Sequence, residues 1–86
     1  MNTITETYQT LIDAVRASTP HTLFHKFIKK NLLATAKKES VQKRFEHPAD
    51  LIARFRELPL ERGYTKLSWA HQVDEYLVMY VLPNLL

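Results

Sequence analysis

The stretch WAHQVDEYLVMYVL, Trp69–Leu82, decides whether this chain is all-helical or mixed. Its second half, Tyr76–Leu82, is aromatic and β-branched enough for a strand, and so is Tyr64–Trp69. Wound as a helix, however, Trp69, Val73, Tyr76 and Tyr80 fall within a sector of about 60°, and no third segment offers itself as a strand partner. The spacing therefore predicts a helix with Trp69, Val73, Tyr76, Leu77 and Tyr80 on its core face. Ser68 is placed to cap this helix and Pro83 to end it.

The same period recurs upstream. Residues 3–17 carry Ile4, Tyr8, Leu11, Ile12 and Val15 on one stripe, and Thr3 and Glu6 stand at capping-box spacing. Thr19 as N-cap and Pro20 at the first helical position open a second helix that runs to about Lys38. Phe24, Phe27, Ile28 and Leu32 make its apolar face, flanked by Leu23 and Leu33. Val41 and Phe45 fall off that stripe, so a break near Glu39-Ser40 and a short helical piece over 40–46 are expected. Pro48 opens another helix, with Asp50 in its first turn and Leu51, Ile52, Phe55 and Leu58 as its stripe; Pro59 ends it. Residues 59–67 are irregular, with Gly63 at a turn position of positive φ. The fold class is all-α: a compact single-domain bundle of four to five helices over residues 1–86.

Composition bounds the function. Eighty-six residues make one domain, and a domain of this size buries only about 60–65% of its unfolded surface, so most large apolar residues are needed inside. There is no cysteine, hence no disulfide and no thiolate metal site, which fits a reducing cytoplasm. One glycine excludes the phosphate-cradling loops that need two or three. The N-terminus lacks the basic and apolar regions of a secretory signal. The longest apolar run, Tyr76–Leu82, falls far short of the roughly 20 residues that span a bilayer, so no membrane span is expected.

Two histidine clusters invite a chemical reading. His21 and His25 share a helical face at a spacing that suits zinc, but Thr22-Leu23-Phe24 supply no third ligand or base, and Lys26 and Lys29 repel a cation. His71, Asp74 and Glu75 stand at i, i+3 and i+4 on the last helix and read as its solvated face. His21 and His25 are read as exposed or half-buried. No nucleophile elbow or acid–histidine–serine context is present. No catalytic residue, metal or cofactor is expected.

Charge is more informative. Lys26, Lys29, Lys30, Lys37, Lys38, Lys43 and Arg44 face only Glu39 in segment 26–44, which carries +6, while the rest of the chain carries −3. Lys26, Lys30 and Lys37 lie within about 40° of one another on a helix, with Lys29 beside them. Such a stripe follows a phosphate backbone, contacts an acidic protein, or is simply solvated. A helix-turn-helix fits poorly, because about ten residues separate the last two helices where that motif has three or four. The basic helix also has no arginine to read guanine edges. Nucleic-acid binding would therefore be backbone-directed.

The last helix turns apolar on its outer side at Val78, Met79 and Leu82, and Leu85 and Leu86 follow. A helix apolar all round is either central in its domain or covered by a partner; these five residues are the candidate protein interface, with a homodimer as one form of it. The expected function is that of a non-enzymatic, cytoplasmic interaction protein that docks a helical surface on a protein partner. The alternative is a nucleic-acid-binding module that uses residues 26–44. Small cysteine-free helical domains of this build are common among accessory proteins of phages and plasmids that modulate or inhibit a host factor.

Overall fold

Apolar residues three and four apart build five α-helices among the described residues, and no strand forms there. They are α1 (Thr3–Ala17), α2 (Leu23–Lys37), α3 (Glu39–Arg44), α4 (Pro48–Glu57) and α5 (Lys66–Tyr76). The computed structural model describes residues 3–57, 59 and 63–85, with side chains from Thr7 onward. The Thr3–Glu6 capping box, the Ile4 and Leu58 stripe positions and Leu86 therefore lie outside the described side chains. No helix among the described residues is long and apolar enough to cross a membrane.

The core forms where α1, α2, α4 and α5 converge. α1 buries Tyr8, Leu11, Ile12 and Val15, α2 buries Ile28, Leu32 and Ala36, α4 buries Leu51 and Phe55, and α5 buries Trp69, Val73 and Tyr76. Each large aliphatic side chain so buried contributes about 1.5–3 kcal/mol. The Cα radius of gyration, 12.5 Å, is close to the value of roughly 12 Å for a compact domain of this length. The compact all-α bundle expected from the periodicity is what the chain forms.

Two helix starts differ from expectation. α2 begins at Leu23, with Thr22 as N-cap, its hydroxyl accepting from the His25 N–H at 3.0 Å; Thr19 and Pro20 lie outside it. The α1–α2 corner takes those residues instead. Ser18 is buried, its hydroxyl donating to the Val15 carbonyl and lying 2.7 Å from the Tyr76 hydroxyl, while Lys29 Nζ donates to the Ser18 carbonyl at 2.6 Å. Because α2 starts late, Leu23 sits at its exposed first turn rather than on the flank of the core. α5 begins at Lys66, because Ser68 is the inner half of a capping box and Thr65 is the cap. The Thr65 hydroxyl accepts from Ser68 N–H at 3.1 Å, and Ser68 Oγ accepts from Thr65 N–H at 2.9 Å. The break after α2 falls at Lys38, whose backbone is extended, and Gly63 takes a φ of +91° as the turn requires.

The end of the chain brings the largest departure. α5 passes into a π-helical turn, Leu77–Val81, and then a 3-10 turn, Leu82–Asn84, that accommodates Pro83 near its start. The i→i+5 bonding of a π turn adds one residue per turn. Val81 therefore takes the buried position where an unbroken α-helix would present Tyr80, which is half-buried. Asn84 pins the terminus to α1, its side-chain amide donating to the Ala14 carbonyl at 3.2 Å.

The two buried tyrosines give the fold an alkaline limit. Burial pushes the Tyr76 phenol up, partly offset by its hydrogen bond to Ser18, and burial followed by the nearby Asp50 charge pushes Tyr8 up. Above about pH 10 the unfolded chain releases phenolic protons that the folded chain retains. Stability should thus be fully present below that pH and fall as the pH rises above it. Urea midpoints measured through this range should show the fall in the wild type and a shallower one in the Tyr8→Phe/Tyr76→Phe variant; parallel curves would contradict the assignment.

Candidate interaction surfaces

The C-terminal face is built by the π turn. Among the described residues, Val78 is 62% exposed, Met79 53%, Leu82 47% and Leu85 45%. Beside them lies a cavity of about 180 Å³ lined by Leu11, Ile52, Leu77, Val78, Val81, Leu82 and Leu85, all apolar. A second cavity, lined by Thr7, Thr10, Leu11, Pro48, Ala49, Ile52 and Leu85, shares three of these residues. Together they make a trough between α1, α4 and the chain end, and among the described residues no charged side chain lines it. Of the five residues singled out in the sequence, Val78, Leu82 and Leu85 come together on this cavity, Met79 is exposed but does not line it, and Leu86 lies outside the described residues.

The basic segment is distributed differently. Lys26, Lys30, Lys37, Lys38, Lys43 and Arg44 are exposed. Lys29 departs from this set, because the residue is half-buried and its ammonium donates to the Ser18 carbonyl. Lys43 pairs with Glu39 at 3.2 Å, an exposed i, i+4 pair of the kind worth a few tenths of a kcal/mol. Arg44 places its guanidinium 5.4 Å from the centre of the Phe45 ring.

Of the two histidines four residues apart, His21 is exposed but His25 is buried, contrary to the expectation that both would be exposed or half-buried. α2 turns His25 inward against Tyr80, with ring centres 5.4 Å apart, and its Nε2 lies 3.3 Å from Glu75 Oε1. Glu75 also faces the exposed His71 at 3.6 Å. Asp74 leaves the expected histidine–acid cluster and pairs with Arg56 of α4, at 2.8 and 2.9 Å. Among the described residues, no group of three histidine, aspartate or glutamate side chains is placed to hold a metal ion.

A third surface was not legible in the sequence. Thr35 of α2, α3 with Phe45, and α4 frame a half-open cavity of about 270 Å³ whose mostly apolar lining includes Arg44 and Arg54. The one signal was the dipeptide Arg-Phe, which recurs at 44–45 and 54–55. Compared with known proteins, the chain matches no family model, no curated protein and no solved structure.

Proposed function

We propose that this chain is a non-enzymatic interaction protein that docks its C-terminal helical face on a protein partner. The observation that carries the reading is the joint exposure of Val78, Met79, Leu82 and Leu85, three of which line a trough with no charged side chain among its described residues, on a fold whose core is filled by other residues. Among its described lining residues the trough has no cation to attract a phosphate backbone or an anionic lipid surface. An amphipathic helix of the partner fits it, laying apolar anchors into the groove at helical spacing. A protein of this size that works by covering a surface is a regulator or inhibitor of its target. A phage or plasmid accessory protein acting on a host factor in the cytoplasm is the setting in keeping with the build. The test is capture of partners by the tagged protein after nuclease treatment and in high salt. A partner should be retained by the wild type and lost by a Val78→Lys/Met79→Lys variant; retention by both would count against the face.

The second reading is a backbone-directed nucleic-acid module, favoured by the exposure of Lys26, Lys30 and Lys37 on α2. Replacing these three lysines with glutamine should weaken binding to all sequences alike. The slope of log affinity against log salt should flatten by about 0.9 per lost duplex phosphate contact. A wild type that binds neither DNA nor RNA at low salt removes this reading.

A further inference from the structure

We propose that the cavity between α3 and α4 is a separate binding site for an acidic peptide segment that inserts one large apolar side chain. At about 270 Å³ the cavity has room for one large apolar side chain. Its apolar lining is Val41, Phe45, Leu51 and Phe55, with Leu51 and Phe55 buried in the core behind it. An inserted side chain therefore meets fixed walls, which is the geometry of an interface anchor.

The charged lining states what flanks that anchor. Arg44 and Arg54 both border the cavity, and a planar guanidinium takes a carboxylate through two parallel hydrogen bonds. Arg44 is exposed and lies over the Phe45 ring. Arg54 meets Glu57 at 3.3 Å, with both side chains half exposed or more, and an exposed pair of that kind yields readily to an incoming carboxylate. The cavity-lining Thr35 is followed by the exposed Lys37 and Lys38, so further cations stand at this end of α2 to draw in an acidic chain. A nucleic acid fits the cavity less well. A base needs an open aromatic face on which to stack, whereas Phe55 is buried and Phe45 is half-buried with Arg44 over its ring.

This site is separate from the C-terminal face and involves different residues, so either fails without the other. The test uses the whole protein and short fluorescein-labelled peptides of glutamate and aspartate with one central leucine, titrated by fluorescence anisotropy. The controls are the same peptide with alanine for leucine and a single-stranded oligothymidylate. The leucine peptide should bind roughly tenfold or more tightly than the alanine peptide, a comparison that needs no protein variant. An Arg44→Gln/Arg54→Gln variant should lose peptide binding while keeping its thermal midpoint. Equal affinity for the two peptides, no peptide binding, or tighter binding of the oligothymidylate would overturn the proposal.

Discussion

Replacing Trp69 with alanine should destabilise the fold by about 3–5 kcal/mol. Trp69 is fully buried where α2, α4 and α5 meet, with its ring centre 5.7 Å from both Phe55 and Phe24 and 6.4 Å from Phe27. Its indole N–H donates to the Phe55 carbonyl at 2.7 Å, in the last turn of α4. Alanine leaves a cavity among these rings and removes the donor from a buried carbonyl, two costs that add. A domain of this length has a total stability of roughly 4–13 kcal/mol. The single change therefore removes a large share of it. Trp69→Phe, which keeps a ring but loses the hydrogen bond, should cost clearly less. Urea unfolding followed by far-UV circular dichroism measures both. A loss below about 1 kcal/mol for alanine would mean that Trp69 is not the keystone described here.

The residues on which that result depends were legible from spacing alone. Trp69, Val73 and Tyr76, like Leu11, Ile12 and Val15 or Ile28 and Leu32, recur at helical period and are buried. Periodicity reports burial well because one stripe per helix must reach the core. The starts of α2 and α5 were less legible, because a threonine near the cap that spacing favours takes its place in each, Thr22 and Thr65. Thr19 lost to Thr22 because the buried Ser18 corner holds the chain before the helix, and Ser68 lost the cap to Thr65 because it completes the box from inside. Neither choice is visible without the tertiary contact or the reciprocal pair.

The C-terminal face shows a different limit. Beyond Leu77 the helix is apolar on every side, and its pattern does not say which side is covered. The π turn decides this by burying Val81 and leaving Val78 and Met79 outside. Lys29 shows the same limit for charge. Spacing put it beside the basic stripe, but it serves the Ser18 carbonyl in the α1–α2 corner. The cavity that joins Arg44 to Arg54 depends on how α3 and α4 approach, a relation that no local pattern encodes.

The second large effect separates an outward docking face from a missing piece of core. Val78→Lys/Met79→Lys places two cations near the C-terminal end of a helix, where the peptide dipoles favour positive charge. If both side chains face water in the free protein, the substitution should cost less than about 1 kcal/mol and move the thermal midpoint by no more than about 8 °C. If they are buried, each site loses roughly 1.5–3 kcal/mol of apolar burial and gains an unpaired charge. The midpoint should then fall by more than about 12 °C. The same two lysines would be forced into a dry interface in any complex formed by this face, so docking should be abolished.

The most direct measurement is therefore the thermal midpoint of this double variant, read on the same samples used for partner capture. If Val78 and Met79 form an outward docking face, the midpoint stays close to that of the wild type and the captured partner is lost. A collapse of the midpoint, or a partner held as firmly by the variant as by the wild type, would contradict that reading.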